Sequence, residues 1–402
     1  MKSELVYMDS KSSKFWNLTS EGAKHTVVYG RIGTDGQTKE KVFKSEEDAK
    51  KNFEKLVKQK MSKGYIEAST GTTSTPEGTE NGLIPAIAFN SIKKQSDLHE
   101  NAGTFVGKRI VDFDPKKGAK ADSSLAYRFR IDWDSDDSVT DMLKQYLDSD
   151  ACLHATALVI GAWSGDDSEA SPEPIIKLLT ERKDRLPKIT AIYLGDIIAE
   201  ENEMSWINQS DITPLLSAFP NLQLLRTRGG DSLQLEPVKH ETLRALAIET
   251  GGLDADVIRA ILSCDFPALE HLEIWLGTDE YGSNSSVEDL QPLFAGELFP
   301  NLKYLGLRNC DYVDNIAGVI VNSPIIDRIE TLDLSLGVLT DTGGNALLNA
   351  PNGKALKRLD LHYNYMTAGM IKKLKSLDLT VDASKPSDMD EDGEWRFVAV
   401  GE

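Results

Sequence analysis

The sequence predicts an α/β protein. We expect a solenoid with a parallel curved sheet and helices on its convex side, preceded by a small α+β unit. Three observations carry this. An apolar-x-x-apolar-x-apolar hexad recurs nine times, beginning at Ala155, Ile189, Leu222, Leu243, Leu269, Leu302, Ile329, Leu356 and Leu374. Helix-start signals lie between the hexads, at Ser171-Pro172, Asp254 and Ser286. A stretch without apolar residues, STGTTSTPEGTEN from Ser69 to Asn81, separates the hexads from a differently patterned N-terminal part.

Residues 1–68 read as the α+β unit. Glu4–Met8, Lys14–Leu18, His25–Ile32 and Thr38–Phe43 have strand character, and Gly33-Thr34-Asp35-Gly36 is a turn. Ser45-Glu-Glu-Asp48 opens a helix to about Lys63, with Ala49, Phe53, Leu56 and Val57 on one face. Residues 69–82 are a flexible linker. Residues 83–150 are an entry section that caps the solenoid, since a first turn would otherwise expose its core. Within it, Arg109–Asp114 is a strand. Ala126–Trp133 alternates Tyr127, Phe129, Ile131 and Trp133 towards a buried side, and Ser138 caps a helix ending near Leu147.

The solenoid covers residues 151–382. Its clearest hexads read LEHLEI, LKYLGL, IETLDL, LKRLDL and LKSLDL, with start-to-start steps of 18 to 34 residues. This is the leucine-rich-repeat signature, in which stacked units bury a shared core. Phe-Pro at Phe219, Phe266 and Phe299 turns the chain into the next strand. Residues 383–402 form an acidic tail whose WRFVAV stretch, Trp395–Val400, is read as a strand or plug over the last repeat.

Hexad positions one, four and six point into the core, and positions three, five and seven onto the open face. The predicted partner-binding residues on that concave face are Tyr193, Arg226, His271, Glu273, Trp275, Tyr304, Arg308, Asp333, Arg358, Asp360 and His362. Exposed aromatics among charges make interface hot spots; the alternative is side chains packing on the curved sheet itself. Asp333, Asp360 and Asp378, with His362 beside them, form a carboxylate row suited to a cation or a basic partner. A solvated acidic face is the plainer reading. Cys310 and Asn364 fall at the ninth position, where the repeat places a turn-satisfying residue. Asp196–Ser210, an acidic stretch containing Trp206, is either a binding loop over the rim or a long connection pinned by that tryptophan.

The net charge is −19, which taken whole argues against a general nucleic-acid binder. It is uneven: residues 1–70 carry +4 and the remainder −23. Cys152, Cys264 and Cys310 have neither disulfide-framework nor zinc spacing. The N-terminal segment lacks a secretory core, and no stretch reaches membrane-span length, so a cytoplasmic location is expected. P-loop, G-x-G-x-x-G, H-E-x-x-H, G-x-S-x-G and CxxC patterns are absent. No enzymatic activity, cofactor or metal is expected.

Phe15 to Tyr65 resembles the WGR domain. The carrying residues are Phe15-Trp16, Val27 to Gly33 (VVYGRIG), Gly36-Gln37, Phe43 and the lysine-rich helix ending Lys63-Gly64-Tyr65. That domain is best known from DNA-dependent poly(ADP-ribose) polymerases, where it contacts DNA near strand breaks. The resemblance implies nucleic-acid contacts from Tyr29, Arg31, Lys39, Lys41 and Lys44. Tyr29 stands where the signature has Trp, which reduces the stacking area. Nothing resembles the ADP-ribosyl-transferase domain. Residues 104–402 resemble a bacterial leucine-rich-repeat family often joined to a WGR domain, through GDI at Gly195, SWINQSD at Ser205, ETGGL at Glu249, WLGT at Trp275, LDLSLG at Leu332 and RFVAVGE at Arg396. This implies the fold and names no chemistry. The expected function is a protein-binding adaptor without catalysis. The alternative is a nucleic-acid-linked regulator acting through residues 1–68.

Overall fold

Strand alternation in the N-terminal part and hexad spacing in the rest produce two separate sheets. The computed structural model describes residues 2–9, 12–31, 37–43, 45–61, 66–67, 98–167, 169–348, 355–387 and 396–401. The chain divides into units 1–81 and 82–402.

In the first unit, β1 (Lys2–Asp9), β2 (Ser12–Glu21), β3 (Lys24–Arg31), β4 (Gln37–Val42) and β5 (Ile66–Glu67) form an antiparallel sheet in the order β4-β3-β2-β1-β5. Helix α1 (Glu46–Met61) supplies Ala49 and Phe53, which are buried together with Trp16 and Leu18. The predicted order of elements is observed. The 33–36 turn and most of the 69–82 linker lie outside the described residues.

The second unit opens with β6 (Thr104–Phe105), β7 (Lys108–Asp112) and β8 (Leu125–Phe129), followed by α2 (Val139–Asp148). The Ser138 hydroxyl accepts the backbone N–H groups of Thr140 and Asp141, so the expected cap is present. The remaining strands are β9 (Ala157–Gly161), β10 (Ala191–Asp196), β11 (Leu224–Arg228), β12 (Ala245–Glu249), β13 (His271–Gly277), β14 (Tyr304–Cys310), β15 (Thr331–Asp333), β16 (Arg358–Asp360) and β17 (Thr380–Asp382). Between them lie α3 (Glu173–Glu181), α4 (Thr213–Ala218), α5 (Ala255–Leu262), α6 (Gln291–Phe294), α7 (Val313–Ile320), α8 (Asp341–Leu348) and α9 (Ala368–Leu374).

Among the described residues this is one open sheet of 12 strands in chain order, parallel from β7 to β17, with β6 antiparallel at its edge. Hexad residues such as Leu269, Leu272 and Ile274 join Ile258, Leu293, Ile316 and Leu347 of the helices in one core. Positions one, four and six therefore face the helices, as the alternation requires. No described helix is long and apolar enough to cross a membrane.

Four local expectations are corrected. The ninth hexad is not a strand: Leu374 closes α9 and packs into the core, and the strand comes later at Thr380. The 18-residue step from Leu356 is filled by β16, a turn and α9, which leaves no room for the return to a further strand. Ser286 opens no long helix. Its N–H and hydroxyl both bond Asp289, and α6 begins only at Gln291, beside Pro292, which suits a helix start because it lacks an N–H. Trp133 is 74% exposed, because β8 ends at Phe129 and the alternation stops deciding burial beyond it. The tail segment, described from Arg396 onwards, does not lie over the last strand alone. It crosses towards the middle of the sheet.

Candidate binding faces

In the first unit, Trp16 and Tyr29 are cross-strand partners, and Tyr29 packs half-buried against the Trp16, Leu18 and Phe53 cluster. Lys39 Nζ lies 5.4 Å from the Tyr29 ring centroid, and Lys41 Nζ 5.0 Å from that of Phe43. Both lysines are exposed. Tyr29, Lys39 and Lys41 thus share one side of the sheet, since Val27 pairs with Lys39 and His25 with Lys41. Arg31 is the last residue of β3, and Lys44 lies outside the described residues.

In the second unit, the sheet face opposite the helices carries all the predicted partner-binding residues of positions three, five and seven. Their placement on that face matches the expectation; their exposure does not. Tyr193, Arg226, His271, Glu273, Trp275, Arg308, Asp333, Asp360 and His362 are buried, and Tyr304 and Arg358 are half-buried. Trp275 and Arg308 are each 0% exposed. A strand spacing of about 4.8 Å brings rows of long polar side chains into contact with one another, and further segments cover them.

Three polar networks result. Glu249 receives Arg226 Nε at 2.8 Å and Arg228 Nε at 3.0 Å, and the Arg226 guanidinium lies 4.3 Å from the Tyr193 ring centroid. Glu273 receives Arg308 Nη1 at 2.5 Å and the Trp275 indole N–H at 2.8 Å. Arg308 Nε also reaches Ser335 Oγ at 2.9 Å and Asp333 Oδ2 at 3.4 Å, and Asp333 accepts the Tyr304 hydroxyl at 2.7 Å. His271 stacks on Tyr304 with ring centroids 3.9 Å apart. In the third network Asp360 accepts Arg358 Nη2 at 2.8 Å and lies 2.5 Å from His362 Nδ1.

The carboxylate row runs through Asp333, Asp360 and Asp382, which are in register on adjacent strands. Asp378 is exposed and outside the row, because the last strand starts later than its hexad suggested. Asp360, His362 and Asp382 bring one ligating atom each within 4.8 Å of one another. Arg358 bonds the first of these carboxylates and lies 3.9 Å from the second, so a fixed cation already offsets part of the group's charge. Cys310 and Asn364 are buried at the turns. Asn364 donates to Leu361 O at 2.8 Å and accepts the Met366 N–H at 3.0 Å, which is the turn-satisfying role expected at the ninth position.

The covering of Trp275 was not legible in the sequence. The indole packs with Leu98, Met204, Leu336 and Val400. The tail segment Arg396–Gly401 is gripped mainly by its backbone. The Tyr365 hydroxyl accepts the Phe397 N–H at 3.0 Å, and Leu336 O accepts the Ala399 N–H at 2.7 Å. Asn309 donates Nδ2 to Val400 O at 2.5 Å and accepts the Val400 N–H at 3.0 Å, and the Ser205 hydroxyl donates to Gly401 O. Asn309, Leu336 and Tyr363 occupy the eighth position of consecutive hexads and all have left-handed φ, at 51°, 66° and 56°. Asn tolerates that region; Leu and Tyr are held there at a cost of about 1–3 kcal/mol each.

The buried groups set the acid sensitivity of the second unit. Burial pushes the His271 imidazole below its ordinary 6.5, against the opposing bond to Glu273. Burial pushes the Glu273 carboxyl up, but the Arg308 charge and the His271 bond outweigh it, leaving it far below the ordinary 4.5. Asp360 is held far below 3.8 in the same way, by His362 and Arg358 against burial. All three depressed values make the unfolded state the better proton acceptor, so their contribution is complete above the unfolded values and lost as pH falls. The melting temperature is expected to hold near neutrality, decline from about pH 6.5 and fall more steeply below about pH 4.5. His240, also lowered by burial, adds to the upper part, so His271→Asn removes only a share of it. A melting temperature that rises on acidification contradicts this assignment.

The chain resembles a crystal structure of a Bacteroides fragilis protein over its whole length, with a TM-score of 0.72, 29% identity, and coverage of 100% of this chain and 99% of that one. Two Escherichia coli K12 proteins match over shorter stretches. The uncharacterized protein YfeS is 43% identical over 67 residues, 17% of this chain and 28% of that protein. Protein YehF is 31% identical over 87 residues, 22% of this chain and 32% of that protein. The alignments thus span about a third or less of these two relatives. The WGR family model matches residues 1–72. With the antiparallel sheet, the lysine-rich helix and the Tyr-Gly-Arg strand in place, the N-terminal unit of this chain is a WGR domain.

Proposed function

We propose that the protein is a non-enzymatic adaptor, whose WGR domain contacts nucleic acid and whose second unit, a leucine-rich-repeat solenoid, holds a protein partner. The observation that carries the nucleic-acid half is the WGR match together with exposed Lys39 and Lys41 beside Tyr29, on a segment of net charge +4. The acidic remainder repels phosphates and directs any nucleic acid to the first unit. The partner half rests on the repeat pattern, and on a sequence without catalytic motifs. Burial of Glu273, Trp275 and Arg308 favours the connecting loops over the strand face as the place of contact.

Full-length protein titrated with nicked, blunt and single-stranded DNA is expected to bind in a salt-dependent manner. Lys39→Ala with Lys41→Ala should reduce the slope of log affinity against log salt by about 1–2. Salt-insensitive behaviour, or no binding at micromolar protein, overturns the nucleic-acid half.

A further inference from the structure

The loops that follow β10, β11, β12 and β13 enclose a cleft of about 730 Å³. Trp206 lies on its wall with 63% of its surface exposed, while Leu233 and Val257 form buried apolar lining. Asp231, Glu236, Asp254, Asp256 and Glu280 also line it, and no Lys or Arg does. Arg259 pairs with Asp256 at 2.6 Å from outside the lining, which leaves the cleft strongly negative.

Two of its lining residues already hold the C-terminal segment. Ser205 donates to the Gly401 carbonyl, and Gly401 packs against the Tyr281 ring. The contact is therefore continuous with the track in which Asn309 and Leu336 bond the backbone of Ala399 and Val400. Backbone bonding of this kind accepts many sequences, and the neighbouring side-chain pockets select among them.

We propose that this cleft docks an extended, Lys- or Arg-bearing segment of a partner protein, with its cations paired to Asp231, Glu236 and Glu280 and one of them over the Trp206 indole. This rests on the reading of the second unit as a protein-binding module and is independent of nucleic-acid binding by the first. Phosphate-bearing ligands are repelled by the same carboxylates. The carboxylates are spread over several loops, and among the described residues the one cluster of three metal-ligating groups lies elsewhere, at Asp360, His362 and Asp382. A cation over an indole, several carboxylates and a large exposed aromatic are the combination that recognises a basic peptide.

The test titrates the full chain with short peptides of alternating lysine and alanine, and with glutamate–alanine counterparts, followed by calorimetry and tryptophan fluorescence. The lysine peptide is expected to bind and the glutamate peptide not to. Trp206→Ala, and Glu236→Gln with Glu280→Gln, should each weaken binding by about tenfold, with melting temperatures unchanged. Binding that is indifferent to both variants, or a response to calcium with none to peptide, overturns the proposal. A partner protein captured after nuclease treatment, and retained equally by both variants, overturns the cleft but leaves the adaptor reading standing. Silence to peptide together with no captured partner overturns both.

Discussion

Replacing Glu273 with Gln is expected to lower the stability of the second unit by about 3–5 kcal/mol, read as a shift of the denaturation midpoint at unchanged slope. The reason is Arg308. Its guanidinium is fully buried, bonds Glu273 at 2.5 Å, and has its other carboxylate, Asp333, at 3.4 Å. Glutamine keeps the volume and an acceptor for the Trp275 indole, but it removes the charge that offsets the arginine's desolvation. Breaking one side of a buried pair leaves the other ion uncompensated, which costs far more than the net worth of the pair. The sharper measurement is therefore a double-mutant cycle. Glu273→Gln combined with Arg308→Met should cost less than the sum of the two single variants, because the Glu273–Arg308 interaction that each single change breaks is counted only once. A single-variant loss below about 1 kcal/mol, or an additive double variant, contradicts the network.

Removing residues 396–402 is expected to cost about 2–4 kcal/mol and to red-shift the Trp275 emission. Val400 is buried against that indole, and six backbone groups of the segment are hydrogen-bonded. Truncation exposes the indole and leaves the buried Asn309 amide without Val400. Trp133 and Trp206 are already exposed, so their emission stays red in both proteins. Subtracting the spectra of Trp275→Phe forms of each chain isolates the change. Identical difference spectra would mean that the segment does not cover Trp275 in solution.

Much of this architecture was legible because periodicity is a local property. The spacing of apolar residues in LEHLEI or LKYLGL is enough to place β13 and β14 and to send His271, Glu273 and Trp275 to one face and Leu272 and Ile274 to the other. The same reasoning failed at LKSLDL, where Leu374 satisfies a helical period equally well and ends α9. It failed again at Trp133, where alternation outran the strand. In the first unit, the WGR pattern around Tyr29 located strands and helix together.

The candidate site was legible only in part. The identity of the face residues was correct and their accessibility was not. Exposure depends on what lies over a residue, and Leu98, Met204 and Val400 reach Trp275 from far along the chain. Trp206 was singled out, but its carboxylate surroundings, drawn from the segments after three further strands, were not.

Local pattern alone therefore decided strand order, the helix-facing core and the division into a basic WGR domain and an acidic sheet unit, because each follows from neighbours a few residues apart. Tertiary structure alone decided which charges are paired, which aromatic is buried and where an open cleft remains. Those depend on contacts across tens to hundreds of residues, such as Asn309 with Val400 and Ser205 with Gly401, and on the burial that makes an unpaired charge costly.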